Sequence, residues 1–255
     1  MRNHALLALN READRALRGF GLAMEPITAP FPLWLLSVPD IVDPRLAASL
    51  SDAERERAGR FLREPLRRRY IAAHGALRVL GECYFGVAAA DQRYDPNDLG
   101  KPYLSGVPGA QCSISYSGQS ALIAWSQEYE IGVDLEVVRP IEDADDLSVL
   151  HYTQDEQAGL RGPECGPGSP ICDRAFLSVW VRKEACIKAL GAGLSIAPSS
   201  FDCGVGPGVR SVEIEGQFVE CENYDLKDDL MVAWARLRRV ASPGPSAYEL
   251  YNWSY

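Results

Sequence analysis

The stretch Ile131-Gly-Val-Asp-Leu-Glu-Val-Val138 decides how the rest of the chain is read. It is short, rich in β-branched residues and free of helix signals, so it reads as a strand. Side chains alternate faces along a strand. Asp134 and Glu136 therefore share one face, and Val133 and Leu135 the other. Two carboxylates two residues apart lie within roughly 7 Å of each other. They repel unless water screens them or a cation sits between them. The strand is thus either an amphipathic one with a wet acidic face or one side of a site for a hard divalent ion such as Mg²⁺.

Further along, DRAFLSVWVRKEACIKALGAGL (173–194) is the clearest helix, with Asp173 as its cap and Gly191 or Gly193 as its stop. Phe176, Trp180 and Ile187 fall at helical spacing and mark a buried stripe, on which Glu184 also lies. A carboxylate on an apolar face needs a partner. Lys188, four residues further, could supply it as a salt bridge. Alternatively Glu184 is a metal ligand, with Lys183 and Lys188 suited to an anionic, phosphate-bearing substrate.

Upstream of the strand, SISYSGQSALIAWS (113–126) reads as a hairpin around Ser117-Gly118, and YDPNDLGKPYL (94–104) as a loop leading into a strand. PLWLLSVP (32–39) reads as a short buried strand. Ser51 and Glu54 form a capping box, and Pro65 divides the region up to Leu80 into two helices. Residues 51–69 carry seven arginines against four acidic residues, which is either a solvated helix face or a phosphate cradle. Residues 4–18 read as an amphipathic helix, packed on its own domain or free to dock. Beyond 138, Asp143–Leu160 reads as polar helix, 161–172 as a Gly/Pro-rich loop, and the remainder as short strands with turns. This order predicts an α+β fold with antiparallel strands. No Gly-rich phosphate loop of the P-loop or dinucleotide type is present.

The whole-chain numbers narrow the classes further. The 255 residues are 47% hydrophobic and 24% charged, enough to bury a core without staples. Acidic residues outnumber basic ones 35 to 26, for a net charge of −9, which argues against a general nucleic-acid binder. The seven cysteines include no Cys-x-x-Cys pair and there are only three histidines. A disulfide framework, a structural zinc site or a histidine-rich metal centre is not expected, and isolated reduced cysteines are. No apolar run approaches the roughly 20 residues that span a bilayer, and the N-terminus is unlike a secretory signal. The expected compartment is the cytoplasm, with no membrane partner.

Together, GVDLE (132–136), WVRKEACIKALGAGL (180–194), GKP (100–102) and SISYSG (113–118) resemble the 4′-phosphopantetheinyl transferase family, of the surfactin-synthetase-activating, pseudo-dimeric type. The resemblance covers about residues 32–240. It implies two similar α+β subdomains with antiparallel sheets and packed helices, related by a pseudo-two-fold axis, with coenzyme A between them. Residues 1–28 are then an N-terminal extension, 29–130 the first subdomain and 131–255 the second, which bears the metal site. The implied reaction moves 4′-phosphopantetheine from coenzyme A to a serine of an apo acyl or peptidyl carrier protein, releasing 3′,5′-ADP. Carriers of polyketide, nonribosomal peptide or fatty acid synthases are the implied partners, and the implied state is a monomer.

By the same resemblance Asp134, Glu136 and Glu184 are ligands of Mg²⁺, with Mn²⁺ as a substitute. Lys183 and Lys188 contact phosphates, and Arg57 and Arg69 hold the 3′-phosphate or the pyrophosphate. Lys101 and Pro102 lie beside the adenine, and Ser115 contacts a phosphate. Glu156 matches a proposed general base, although Thr153-Gln-Asp-Glu156 is also a capping box. Two positions depart from the pattern: Tyr116 stands where a histidine is usual, and Glu54 where some members carry lysine. Neither brings positive charge, so weaker discrimination between coenzyme A and its 3′-dephospho form is expected. A non-catalytic coenzyme A-binding module and a metal-dependent phosphodiesterase are the competing readings.

Overall fold

A computed structural model describes residues 2–97, 100–161, 173–226 and 229–238. Its strands form two antiparallel sheets. The first contains β1 (Ala23–Pro26), β2 (Leu33–Ser37), β3 (Tyr94–Pro96), β4 (Pro102–Leu104), β5 (Gln111–Ser117) and β6 (Ser120–Ser126), in the order β1-β2-β6-β5-β4-β3. The second contains β7 (Tyr129–Val137), β8 (Arg210–Ile214), β9 (Gln217–Leu226) and β10 (Leu230–Arg238), in the order β7-β10-β9-β8. The helices are α1 (Arg2–Arg18), α2 (Pro44–Ser49), α3 (Asp52–Gly59), α4 (Glu64–Phe85), α5 (Ala144–His151), α6 (Gln154–Leu160) and α7 (Asp173–Leu190). The expected α+β class with antiparallel sheets and packed helices is what the chain adopts.

Strand alternation explains how the layers stack. On β6, Ala121, Ile123 and Trp125 face α1 and α4, whereas Leu122 and Ala124 face the second sheet. On β10, Leu230, Val232 and Trp234 meet that same inner cluster, whereas Met231, Ala233 and Ala235 face α7. The two sheets therefore share an inner apolar core that includes Phe31, Leu33, Ile131, Val133 and Leu135, with helices on the outside. Each sheet's outer face is covered by one long helix, α4 or α7.

Several local expectations correspond closely to the elements found. Ser51 caps α3 in a full capping box with Glu54, and the chain breaks between α3 and α4 with Pro65 in the first turn of α4. The hairpin turns at Gly118-Gln119, one residue later than expected. Other expectations differ. The polar region from Asp143 to Leu160 is two helices, because Tyr152 turns extended before a second capping box at Thr153 and Glu156. Asp173 is helical in α7, and its carboxylate accepts from the Ile141 amide at 2.9 Å, tying the helix to the chain after β7. Ala13 and Leu17 of α1 are buried in the core under the first sheet, and β1 pairs with β2. The loop expected at 161–172 and the segment beyond 238 lie outside the described residues, apart from Arg161. No helix among the described residues is long and apolar enough to cross a membrane.

The expectation of isolated cysteines also fails. Cys186, Cys203 and Cys221 stand 17 and 18 residues apart in sequence yet bring their sulfurs within 4.8 Å of one another in the core around α7. Spacing along the chain hides them because one lies on a helix, one in a loop and one on a strand.

Glu54 shows how the arginine-rich region is anchored. Its carboxylate accepts from the Ser51 amide at 2.8 Å and from Arg78 Nε at 2.9 Å, and it meets His74 Nδ1 at 3.3 Å. Burial alone would raise this carboxyl, but the hydrogen bonds with His74, Ser51 and Arg78 outweigh it and hold it down to about 2, against an ordinary 4.5. A carboxyl depressed in the folded state contributes stability that is complete above its unfolded value and lost as pH falls toward the folded one. Glu54→Gln is therefore expected to melt below the parent chain near neutral pH, with the gap closing between pH 4.5 and about 2. Thermal melts across that window check this; a gap that persists unchanged to the acid end would show that the charge of Glu54 is not what matters.

Candidate active site

The close approach of β7 and α7 creates the site. Gly132 makes it possible: a Cβ there would lie 2.0 Å from the Ala185 carbonyl oxygen and 2.4 Å from the Ala189 nitrogen. With no side chain in the way, the helix backbone rests directly on the strand. Asp134 and Glu136 follow on the same face of β7, and Glu184 and Lys188 lie one helical turn apart on α7.

Asp134 is buried and accepts from Ser115 Oγ and Lys188 Nζ, each at 2.7 Å. Lys188 also donates to the Val133 carbonyl at 3.2 Å. Lys188 thus crosses to the strand instead of forming the i,i+4 salt bridge with Glu184. Glu136 accepts from Ser117 Oγ at 3.0 Å and from Arg139 Nη1 at 2.9 Å. Glu184 is half-buried and makes no hydrogen bond among the described residues. Burial pushes its carboxyl up, and the charges of Asp134 and Glu136 push it further. Burial likewise raises Asp134, against the pull of Lys188 and Ser115. These shifts mark a place where negative charge is held at a cost that a bound cation would relieve.

The donor set fits a hard divalent ion. It offers three carboxylates, one buried, and Ser115 fixes the orientation of Asp134. The three carboxylates do not converge as tightly as the three thiols do, and Lys188 on Asp134 and Arg139 on Glu136 now supply the neutralising charge.

The remaining residues singled out in the sequence fall into three places. Tyr116 and Arg69 are neighbours, with the guanidinium 4.8 Å from the ring centroid and Arg69 Nη1 donating to the Gly118 carbonyl at 3.0 Å. The tyrosine holds the arginine at the hairpin by a cation–π contact. Arg57, exposed on α3, lies 5.6 Å from the ring of Tyr70. Lys101 is buried, and its ammonium donates to Glu130 at 2.9 Å and to the Ala189 carbonyl near the C-terminus of α7 at 2.7 Å. Pro102 opens β4 beside it.

Glu156 and Lys183 form a fully buried ion pair at 2.8 Å, with neither side chain exposed. Lys183 also donates to the carbonyls of Pro198 and Phe201, at 2.8 and 2.5 Å. Glu156 accepts from the amides of Thr153 and Cys203, at 2.9 and 2.8 Å. The pair lies in the core behind α7, with every charged atom engaged by protein.

The expected buried stripe on α7 is also shifted. The helix is buried almost all round, and Trp180, Glu184 and Lys188 form its half-open line. That line is the side from which a ligand can reach Glu184. Sequence reading missed Ser113, Ser117 and Gln111. Their oxygens accept from the amides of Val133, Val137 and Ile131, at 3.0, 3.3 and 3.2 Å, along the edge of β7 that no strand pairs. The signal was present: Gln111, Ser113, Ser115 and Ser117 are polar at every second position of β5.

A sheet-borne carboxylate pair facing a glutamate and a lysine on the helix above defines an acidic site with one ammonium beside it. The family model of the 4′-phosphopantetheinyl transferase superfamily matches residues 130–231, the span that carries these carboxylates. That segment of the chain is thus similar to the superfamily. Among its relatives, the 4′-phosphopantetheinyl transferase HetI of Nostoc sp. is 35% identical over 153 residues, which is 59% of this chain and 63% of HetI. A 4′-phosphopantetheinyl transferase of Bacillus subtilis is 25% identical over 192 residues, 74% of this chain and 83% of its own length. The Bacillus subtilis transferase Sfp is 26% identical over 157 residues, 62% of this chain and 67% of Sfp. The chain therefore spans just under two thirds of HetI and more of the two Bacillus proteins, and its relatives include the Sfp type.

Proposed function

We propose that this chain transfers 4′-phosphopantetheine from coenzyme A to a serine hydroxyl of an apo carrier protein, with release of 3′,5′-ADP. The observation that carries the reading is the cluster of Asp134, Glu136 and Glu184, brought together by the contact of Gly132 with α7 and oriented by Ser115. In this reaction the carrier serine oxygen attacks the β-phosphorus while the bond to the bridging oxygen breaks, so negative charge gathers on the departing phosphate. Mg²⁺, when bound, neutralises that charge. Asp134, Glu136 and Glu184 are the residues that would hold it, with Mn²⁺ as the natural substitute.

Lys188 is placed to exchange Asp134 for a pyrophosphate oxygen once the carboxylate has a cation of its own. Arg69, steadied by Tyr116, and Arg57 are the cations left for the 3′-phosphate, and Lys101 and Pro102 border the same hairpin's sheet. Tyr116 contributes no charge and so acts through Arg69, in line with a weakened preference for the 3′-phosphate. We read Glu156 and Lys183 as a brace that fixes α7 behind Glu184, because neither presents surface to a substrate.

Mass spectrometry of an apo carrier protein after incubation with this chain, coenzyme A and Mg²⁺ tests the proposal. The carrier is expected to gain one phosphopantetheinyl group. Glu184→Gln and Asp134→Asn are each expected to lower the rate on the order of 10²-fold or more, the size seen when one preorganised charge-stabilising group is lost. Full Mg²⁺-dependent activity in either variant would overturn the ligand assignment. Coenzyme A binding without mass gain would indicate a binding module, and ADP release without carrier modification a phosphodiesterase.

A further inference from the structure

Phosphopantetheine transfer leaves three buried cysteines without a task. Cys186 on α7, Cys203 in the loop after Phe201 and Cys221 on β9 are at most 1% exposed, and their sulfurs all lie within 4.8 Å of one another. The Cys186 and Cys203 sulfurs are 4.0 Å apart, about twice a disulfide bond, so the thiols are free. Sulfurs bound to one metal at about 2.3 Å stand about 3.8–4.0 Å from each other. The pair already has that spacing, and thiolates select soft, thiophilic ions.

A second observation points the same way. Arg182 has no exposed surface, and no carboxylate lies within ion-pair reach of it among the described residues. Its Nη1 donates to the carbonyls of Cys203 and Gly204, its Nη2 to those of Gly206 and Gly208, and its Nε has no partner among the described residues. A buried guanidinium without a counter-charge is costly. Lys183 beside it is already balanced by Glu156. Negative charge on Cys221, Cys203 or Cys186 would favour the guanidinium, whereas Arg210, paired with Cys221 across the ladder, opposes it. Three neutral thiols leave Arg182 without a counter-charge, whereas three thiolates around a divalent ion place one net negative charge beside it.

We propose that Cys186, Cys203 and Cys221 form a three-thiolate site for one soft divalent metal ion, with Arg182 as its buried counter-charge. Binding forms three metal–sulfur bonds and breaks three S–H bonds, and the three protons leave to solvent, so no oxidant or reductant is required. The site would cross-link α7, the loop at 203 and β9, and it is separate from the carboxylates on β7.

The test uses Cd²⁺ alone, added to the reduced full-length chain without oxygen, and is read independently of transferase activity. The ultraviolet sulfur-to-cadmium charge-transfer band is expected to grow to saturation at one ion per chain, with a rise in melting temperature. Cys221→Ala is expected to lose the band. Cys83→Ala, and the double variant Cys165→Ser with Cys172→Ser, are expected to keep it. Where Cys221→Ala does not fold, cadmium NMR of the parent chain replaces it, and a shift that counts fewer than three sulfurs overturns the site. So does a folded, reduced chain without a saturable band, a band that persists unchanged in Cys221→Ala, or intact mass showing two of the three sulfurs joined as a disulfide.

Discussion

Glu156→Gln and Lys183→Met are each expected to destabilise the fold by about 3–5 kcal/mol, the usual result of breaking a buried ion pair from one side. The reason is specific to this pair. Losing Glu156 leaves the buried Lys183 ammonium facing the carbonyls of Pro198 and Phe201 and the rings of Phe201 and Tyr152, with no counter-charge. Losing Lys183 leaves a carboxylate that must live on two amide hydrogen bonds. Denaturant unfolding measures the cost, and the double variant Glu156→Gln with Lys183→Met should recover much of it, because no unpaired charge remains. The same experiment separates two roles. A catalytic base would leave Glu156→Gln folded and slow; a brace leaves it unstable, with activity per folded molecule little changed. A stable, inactive Glu156→Gln would therefore restore the catalytic role that the family resemblance implies.

Gly132→Ala is expected to combine a stability loss with a loss of activity. The new Cβ would meet the Ala185 oxygen, the Ala189 nitrogen and the Lys188 Cβ at 2.0, 2.4 and 2.8 Å. The two closest contacts are helix backbone, which cannot rotate away, so α7 must lift off β7. Overpacking of this kind costs about 1–3 kcal/mol. The displacement also separates Glu184 and Lys188, which ride on the helix, from Asp134, which rides on the strand. A misplacement of about 1 Å can cost roughly 10²-fold in rate. Gly59→Ala, where a Cβ meets nothing within 4 Å, is the control expected to change neither. Wild-type kinetics in Gly132→Ala at a temperature where it remains folded would show that helix–strand spacing does not set the site.

What could be read from the sequence was what is local. The strand at 131–138, the hairpin at Gly118, the break before Pro65 and both capping boxes depend on residues within a few positions of one another. Asp134, Glu136 and Glu184 could be joined only because two short patterns recur together in a family. The failures are long-range. Glu156 was visible as a capping residue, but not the lysine that meets it from 27 positions away. Trp180 and Glu184 were assigned to a buried stripe because periodicity presumes one wet face, whereas α7 is enclosed by β7, β10 and the helices before it. Three cysteines on three different elements leave no periodic trace. Gly132 is set by the helix that packs on it, a contact no neighbouring residue announces.

The polar edge between β5 and β7 limits how the gene for this chain can vary. Gln111, Ser113 and Ser117 each meet an amide twenty residues ahead, at Ile131, Val133 and Val137. The partnership is counted out by the β6 hairpin and the short turn that separate the two strands. Substitutions on β6 leave that count alone. Inserting or deleting one codon between 118 and 129 moves every partner by one place at once and turns the polar row of β5 away from the amides it serves. In this segment a change of residue and a change of length therefore act on different things, the first on packing and the second on register.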